Sequence, residues 1–440
     1  MSVVKVPDAR VVMAGYSAGL LSDLDGLLPP RSVLVLEEPE IIRVRRVRER
    51  AADFACLAGV LPAATQDEDG AVPMAAGMPR PEGVRAVIPG VEYGVVAAAA
   101  LAAEWGLPGA GLPAARILRD KLALRDAAAA ADIPQPAWRP AYGAGDVAAF
   151  RAAHGGACVL KPANRQASLG VQLLGPDDDI GAAWARTATA DEPTLRAAHA
   201  IPGRYLVEQR LAGPEVSVET LVREGVPVFF NITAKSVQPG RHPVELGHVV
   251  PADLPSQTGD TLHAAMSSLI KATGFECGIL HGEWILVDGV SPHLVECAGR
   301  GPGDSIDTLI DLAHGGSLLE RMLTLLQGET PALPRAPVRA AAIRFLTAPH
   351  GRVREVTGTE RAAELPGVLE VRVAVAKDGN VAAVTNSWER PGHVVATGAT
   401  AQEAAETAER AVAAIAVTVT DDVQGATDAG TDAGTGDGAE

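Results

Sequence analysis

Short runs rich in β-branched residues alternate with Ala/Leu-rich segments through the first hundred residues. Residues 10–14, 32–36 and 84–88 are predicted strands, and residues 93–105 are a predicted helix. Strands that alternate with helices at this spacing form a parallel sheet with crossover helices on its faces. We therefore predict an α/β protein whose first unit is such a sheet. The turn after the first strand lacks the glycine spacing of a dinucleotide-binding loop.

A cluster of Pro and Gly at residues 107–113 interrupts this alternation and predicts a domain boundary. From there to about residue 330 we predict a unit that is largely β, with helices at 114–131, 180–190, 261–273 and 305–326. After the Pro-rich segment 331–337 we expect a smaller α+β unit. Residues 420–440 repeat Thr-Asp-Ala-Gly and are predicted to be disordered.

The charge of the chain disfavours two classes of partner. A formal net charge of -16 argues against nucleic acid and against anionic lipid, although six of these negative charges lie in the last twenty residues. The longest apolar stretch, residues 94–103, is well short of the roughly 20 residues of a membrane span. With no signal-peptide pattern and no Cys-x-x-Cys pair, we expect a cytoplasmic protein that binds small molecules.

Two acidic residues lie in strand-like runs on either side of Gly289-Val290. A two-residue turn of type II′ would place Glu283 directly opposite Glu296 on one face of a hairpin. Two carboxylates about 5 Å apart on a buried face repel unless a cation lies between them. Since the ligands are all oxygen, Mg²⁺ is the predicted cation. The alternatives are a coincidental pair, or a turn at Asp288-Gly289 that separates the two carboxylates.

Two basic residues lie where a predicted strand meets a glycine-containing loop, and a third lies on a predicted helix. Arg300 lies in a glycine-rich turn four residues after Glu296, where its guanidinium suits a phosphate or an oxyanion. Lys161 ends a predicted strand and precedes the small loop 164–170, whose backbone N–H groups can bind phosphates. Lys121 lies on a predicted helix, where a solvent-facing side chain is the ordinary interpretation.

The order of these motifs resembles that of the ATP-grasp superfamily over about residues 1–418. The motifs are Asp-Lys on a helix, Lys-Pro with a Ser/Gly loop, Val-Glu-x-x-Leu-x-Gly-x-Glu and Glu…Glu-x-x-x-Arg. The resemblance implies an ATP-grasp fold with an N-terminal Rossmann-like domain, an ATP-grasp core that includes a mobile ATP lid, a C-terminal α+β lid domain and an acidic tail. The N-terminal domain is expected at residues 1–112 and the ATP-grasp core at 113–330, with the mobile ATP lid at about 136–205. The C-terminal lid domain is expected at 331–419 and the acidic tail at 420–440.

The resemblance also assigns roles to residues. ATP would contact Lys121, Lys161, Ser168, Gly170, Glu208, Gln209, Leu211 and Glu215, with adenine beside Glu208 and the ribose on Glu215. Two Mg²⁺ ions, or Mn²⁺ in their place, would bind Glu283 and Glu296. Arg300, Lys161 and Glu296 would be catalytic, with Arg300 stabilising an acyl phosphate and a tetrahedral intermediate.

One departure narrows the resemblance. Ala298 stands where many ATP-grasp enzymes have Asn, which disfavours D-alanine ligases and biotin carboxylases. The branch with bacilysin-type L-amino-acid ligases also lacks this Asn, and segments 245–251, 341–351 and 392–398 look similar to it. By that similarity the substrate site would be lined by Glu245, His248, Arg300, Gly303 and Asp304, with Glu245 pairing with a substrate ammonium.

Two of these residues have simpler interpretations. From the residues alone, a loop histidine bonded to backbone is favoured for His248. Asp304 either selects a cationic substrate side chain or caps the helix predicted to begin at Ser305.

The resemblance implies an ATP-dependent ligase that forms C–N bonds through an acyl phosphate. It would join an amino acid or similar carboxylate to an amine, giving a dipeptide or amide, ADP and phosphate, in specialised metabolism such as antibiotic biosynthesis. A purine-pathway ligase is the first alternative, disfavoured because we expect no basic residue near residues 15–19 to hold a ribose phosphate. A nucleotide-binding protein without catalysis is the second. Dimers are common among such enzymes, so a homodimer is a possible state.

Overall fold

The computed structural model describes residues 6–192, 194–197, 202–333 and 336–420. The tail predicted to be disordered begins one residue too early, because Thr420 is the last residue of a strand; the rest of it, from residue 421 onward, lies outside the described residues. Within the described ranges, no helix is both long and apolar enough to cross a membrane.

The first unit is a four-stranded parallel sheet in the order β3-β2-β1-β4. Helices cover both faces, so β1 and β2 are buried along their whole length. The α/β prediction is confirmed. Strand β3 was not predicted, because it mixes Leu and Val with Ala, Gly and Pro, which favour strands poorly. The elements are β1 (Val11–Ala14), α1 (Ala18–Leu27), β2 (Val33–Glu37), α2 (Pro39–Val44), α3 (Val47–Ala51), β3 (Leu57–Pro62), α4 (Ala71–Gly77), β4 (Ala86–Pro89) and α5 (Val95–Glu104).

The single helix predicted over residues 114–131 is wrong, because two helices occupy this segment. Helix α6 (Leu112–Arg119) ends before Asp120, and α7 (Lys121–Ala130) begins after it. Asp120 is extended, and its carboxylate accepts the N–H of Leu122 as an N-cap. Lys121 is therefore the first residue of a helix, and its backbone N–H bonds the carbonyl of Ala163.

The next unit is a small antiparallel sheet in the order β5-β8-β6-β7. It has its own apolar core, which includes Phe150, Leu160 and Val207. Its elements are β5 (Trp138–Ala141), α8 (Ala144–Ala153), β6 (Cys158–Pro162), β7 (Gln172–Leu174), α9 (Ile180–Thr189) and β8 (Tyr205–Gln209).

A large antiparallel sheet forms the centre of the molecule, in the order β13-β12-β9-β10-β11-β14-β18-β16. The helix predicted over 305–326 is wrong in one respect, since Gly315 and Gly316 divide it with positive φ angles of 75° and 80°. The elements up to that point are β9 (Glu215–Arg223), β10 (Val226–Val237), β11 (Glu245–Val250), α10 (Ser256–Thr273), β12 (Gly278–Val287), β13 (Ser291–Ala298), α11 (Ile306–His314) and α12 (Leu318–Leu326).

The C-terminal unit contributes three strands to the large sheet, β14, β18 and β16. Strand β14 pairs directly with β11 of the preceding unit. The remaining strands, β15, β17 and β19, form a separate small sheet. The elements are β14 (Ala340–Phe345), β15 (Gly351–Thr357), α13 (Thr359–Ala363), β16 (Val368–Val373), β17 (Asn380–Val381), β18 (Gly392–Gly398), α14 (Ala401–Ala414) and β19 (Ala416–Thr420).

Strands β12 and β13 form the predicted hairpin, and Glu283 lies opposite Glu296 as expected. The predicted two-residue turn is wrong. Val287 pairs with Ser291, so the turn has three residues, of which Asp288 and Gly289 have positive φ angles of 54° and 78°. A register shift next to Glu283 restores the pairing.

Candidate functional site

Two cavities meet where the small antiparallel sheet faces the large one. The first has a volume of about 350 Å³ and the second about 1110 Å³. Glu245, Glu283 and Glu296 line both of them. A group bound in the first cavity can therefore meet a group bound in the second beside these carboxylates.

The residues predicted to bind ATP gather in the first cavity. Its lining includes Lys121, Lys161, Ser168, Glu208, Gln209, Leu211 and Glu215. Gly170 is not part of this lining, and its carbonyl accepts the hydroxyl of Thr187. The solvent-facing interpretation of Lys121 is wrong, because its side chain is 9% exposed and its ammonium lies 2.9 Å from Glu296.

Glu208 lines this cavity and forms ion pairs with two cationic side chains. Its carboxylate accepts from Lys161 Nζ at 2.6 Å and from Arg125 Nε at 2.7 Å. Burial opposes ionisation of Glu208, but Arg125 and Lys161 outweigh it and hold the pKa of the carboxyl below its ordinary value. Arg125 is fully buried and also donates to the carbonyls of Leu294 and Val295 on β13. Sequence reasoning missed Arg125, although it lies four residues after Lys121, on the same helix face.

The predicted metal ligands face each other in the wall shared by the cavities. Glu283 accepts from Lys235 Nζ at 2.8 Å and from His281 Nε2 at 3.2 Å. Burial raises the pKa of Glu283, but Lys235 and His281 outweigh burial and hold it well below the ordinary value, so the carboxyl is ionised. Within the described ranges, no group of three or more acidic, His or Cys side chains forms a metal cluster. Two carboxylates fit Mg²⁺, because substrate phosphates commonly complete its shell.

Lys235 was missed by sequence reasoning. Its side chain is 3% exposed on β10, where it contacts Glu283 and, at 3.1 Å, Glu245. Glu215 is its partner in the strand register. Burial works against the charged lysine, but these carboxylates raise its pKa well above the ordinary value. Polar residues alternate with apolar ones along β10 up to Lys235, which was the available signal for a functional face.

His281 was also missed. It lies between Glu219 and Glu283, with ring nitrogens 3.0 and 3.2 Å from their carboxylates. Burial lowers the pKa of the imidazole, but hydrogen bonds to these two carboxylates raise it to about 9. For Glu215, burial dominates and raises the pKa of the carboxyl to about 7, against the attraction of Lys235.

The residues predicted to bind substrate all line the second cavity: Glu245, His248, Arg300, Gly303 and Asp304. Arg300 Nε donates to Glu92 at 2.6 Å. Burial raises the pKa of Glu92, but Arg300 and Arg119 outweigh it and lower the pKa to about 2. Glu245 contacts Lys235 in this structure and shares the ammonium of that lysine with Glu283.

Both simpler interpretations of the substrate residues are wrong. His248 lies on β11 with a side chain 1% exposed, and its Nε2 is 3.1 Å from Asp304 rather than bonded to backbone. Asp304 does not cap helix α11, since Ser305 occupies the cap position and no side chain bonds there. The carboxylate of Asp304 instead binds Arg390 of the C-terminal unit, a residue that sequence reasoning did not single out.

The expectation of no basic residue near residues 15–19 is wrong as well. Arg45 follows α2, and its Nη1 donates to the carbonyl of Tyr16 at 2.9 Å. Its guanidinium also lies over the Tyr16 ring, 4.9 Å from the centroid. Local sequence gave no signal, because 29 residues separate the two.

Two family descriptions match this chain. Residues 155–308 match the ATP-grasp domain, and residues 344–420 match the L-amino acid ligase C-terminal domain 2. The protein has the ATP-grasp fold. The resemblance seen in the motifs is thereby confirmed, including its narrower part, because the second match covers the C-terminal unit.

Solved structures agree with this fold. The L-amino acid ligase from Bacillus licheniformis superposes with a TM-score of 0.74, at 16% identity, over 95% of this chain and 100% of that one. The biotin carboxylase domain of 2-oxoglutarate carboxylase from Hydrogenobacter thermophilus, solved with MgADP, gives a TM-score of 0.65 at 12% identity, over 94% of this chain and 91% of that one.

One curated relative is similar in sequence, and its name gives no activity. The uncharacterized protein y4rH from Sinorhizobium fredii is 28% identical over 315 residues, which are 71% of this ATP-grasp chain. The match spans 63% of the length of y4rH.

Proposed function

We propose that the protein is an ATP-dependent ligase that joins the carboxylate of an amino acid to an amine, forming a dipeptide or a related amide with ADP and phosphate. The observation that carries this proposal is the carboxylate pair Glu283 and Glu296 in the wall between two cavities. Lys121 and Lys161 line the first cavity and Arg300 lines the second, so positive charge lies on both sides of the pair, which suits transfer of a phosphoryl group between two sites.

ATP is proposed to occupy the first cavity. Lys121 and Lys161 would bind its phosphates, and Glu215 its ribose. The two lysines are bound to Glu296 and Glu208 in the structure, so their charge is held at the site before a nucleotide arrives. Glu208 then acts as the fixed anion that positions Lys161, in addition to its expected place beside adenine.

Glu283 and Glu296 would hold two Mg²⁺ ions, which would supply positive charge to the phosphate groups of ATP. In the first step, a carboxylate oxygen of the substrate forms a bond to the γ-phosphorus, and the bond to the β–γ bridging oxygen breaks to release ADP. In the second step, a neutral amine attacks the acyl carbon, the bond between that carbon and the phosphate oxygen breaks, and the phosphate leaves with the proton that the amine nitrogen gives up. Arg300 would bind the oxygens that gain charge in both steps.

The intermediate must be protected from water, since an acyl phosphate hydrolyses readily. The loop 164–170 borders both cavities through Ser168, whose hydroxyl donates to the carbonyl of Pro243 at 3.3 Å. We propose that this loop shields the reacting groups.

The proposal is tested by a pairwise panel of amino acids with ATP and Mg²⁺, scored by ADP and phosphate release and by product mass. ADP release that requires two amino acids, with a product of the expected mass, supports it. ADP release that needs no amine, or nucleotide binding without any ADP release, would contradict it. The second result would favour a nucleotide-binding protein without catalysis.

A purine-pathway ligase is the second candidate, because Arg45 lies beside residues 15–19 in the wall of the second cavity. Its guanidinium could hold a ribose phosphate there. Including 5-phosphoribosylamine-type amines in the panel separates the two, since only the second candidate would use a phosphorylated ribose.

A further inference from the structure

One residue of the C-terminal unit crosses into the wall of the second cavity. Arg390 binds Asp304 with both terminal nitrogens, Nη1 at 2.8 Å from Oδ2 and Nη2 to Oδ1. Its side chain is 8% exposed and that of Asp304 is 20% exposed. A bidentate pair of this kind is geometrically specific and hard to rearrange once it is buried.

The rest of the guanidinium is held equally firmly. Nη1 also donates to the carbonyl of Glu245 at 3.1 Å, and Nε donates to the carbonyl of Ser387 at 2.9 Å. Its plane lies over the ring of Phe345, 3.6 Å from the centroid. Arg390 is thus fixed from three elements, and swinging it away would break several contacts at once.

Asp304 has a second partner on its other side, because His248 Nε2 lies 3.1 Å from the same carboxylate. Arg390, His248 and Asp304 all line the second cavity together with Arg300 and Glu283. Asp304 is the residue that could select a cationic substrate side chain, but in this structure Arg390 of the same chain already occupies that carboxylate.

The charged side chains beside this pair are of both signs. Glu370 is bound to His393, and Arg372 adds a further positive charge. Trp388 is 62% exposed and lines the same cavity, so it offers an apolar surface to a bound side chain. Trp388 lies in the single helical turn Ser387–Glu389, which is fixed by a capping box between Asn386 and Glu389.

We propose that Arg390 is a specificity-determining residue that keeps cationic side chains out of the substrate site, so that the side chain held against this wall is neutral. The inference rests on the proposed function and names its substrate class. A lysine or arginine side chain would meet a fixed guanidinium and find Asp304 already paired with it, so its charge would lose water at this wall without gaining a free carboxylate. A neutral side chain packs on Trp388 and leaves the Arg390–Asp304 pair intact.

The test compares neutral (Ala, Met, Phe), cationic (Lys, Arg) and anionic (Asp, Glu) amino acids as substrates of wild type, Arg390→Met, Asp304→Asn and the double variant. Wild type is expected to favour neutral over cationic substrates in kcat/KM by at least about tenfold. Arg390→Met frees Asp304 and shifts this ratio toward cationic substrates by about tenfold, and the double variant loses the gain. Asp304→Asn leaves Arg390 unpaired and shifts selectivity toward anionic substrates.

Two controls keep the outcome decisive. Arg390→Lys retains the charge and should keep the neutral preference, which a purely structural role of the guanidinium would not predict. Calorimetric binding of the free amino acids reports the same selectivity without turnover, so absence of ligation with intact selectivity contradicts only the proposed reaction. A wild type that prefers Lys or Arg, or single variants whose ratios all stay within about twofold of wild type, would overturn the inference.

Discussion

Replacing Lys235 by Met should make the stability of the protein depend on Mg²⁺. The ammonium lies between Glu283 at 2.8 Å and Glu245 at 3.1 Å, and its side chain is only 3% exposed. Methionine fills a similar volume but leaves these carboxylates to repel each other without a cation between them. A divalent ion bound at Glu283 can then restore part of the missing positive charge.

The size of the effect follows from burial. Removing one partner of a buried ion pair costs about 3–5 kcal/mol. The carboxylates of Glu283 and Glu245 are 24% and 16% exposed, so partial hydration places the expected loss near the lower end, about 3 kcal/mol. Lys235 also competes with metal for Glu283, and a tenfold tightening of metal binding in the variant would return about 1.4 kcal/mol.

The measurement is urea unfolding of wild type and variant, with and without millimolar Mg²⁺ and without nucleotide. Mg²⁺ is expected to raise the free energy of unfolding of Lys235→Met by about 1 kcal/mol more than that of wild type. Lys271→Met on the exposed face of α10 is the matched control and should stay within about 0.5 kcal/mol of wild type.

Two results would refute this reasoning. A loss below about 1 kcal/mol without metal would mean that Lys235 is not the cation that balances this cluster. Equal stabilisation of wild type and Lys235→Met by Mg²⁺ would mean that the lysine and the metal do not share Glu283.

Three further predictions concern other parts of the molecule. Glu296→Gln should lower the rate of ADP release at saturating Mg²⁺ by at least about a hundredfold. Full turnover of this variant in a coupled assay would refute the proposed role of Glu296 as a metal ligand. Arg125→Met should lower the free energy of unfolding in urea by about 3–5 kcal/mol. Arg139→Met is the control, because Arg139 and its partner Asp146 are 41% and 36% exposed, and it should lower the free energy of unfolding by less than about 1 kcal/mol. Similar losses in the two variants would contradict the burial argument. Burial raises the pKa of Asp311 from 3.8 to about 7, so its contribution to stability is full below the unfolded value and is lost as pH rises through 7. Asp311→Asn should therefore gain stability relative to wild type as the pH rises from about 4 to about 7, with a constant difference above that, and parallel unfolding curves over this range would rule this out.

The sequence was enough to predict that Glu283 lies opposite Glu296, although the turn on which that prediction rested is not the one observed. The turn is one residue longer than the glycine position suggested, and the register shift beside Glu283 compensates for it. The two opposite offsets leave the Glu283–Glu296 pairing unchanged. The second interrupts the alternation of buried and half-buried residues at Val295 and Glu296, but one such interruption in a short strand does not by itself indicate a register shift.

Lys121 illustrates a signal that was present but outweighed. Continuous Ala and Leu favoured one helix, whereas Asp120 is a good N-cap residue and divides it. By contrast, the contacts of Asp304 with Arg390 and His248 span 86 and 56 residues of sequence. Such contacts are set by packing between units and have no local signature.

Strand β14 continues the central sheet from β11 by four register pairs, so the C-terminal unit is joined to the core by backbone hydrogen bonds as well as by side chains. A truncation or domain exchange near residue 331 would leave the N–H and C=O groups of β11 as an open edge, which invites pairing with other molecules. Chimeras built from related chains should therefore exchange β11 and β14 together, and a chain ended before β14 is expected to aggregate rather than fold without its C-terminal unit.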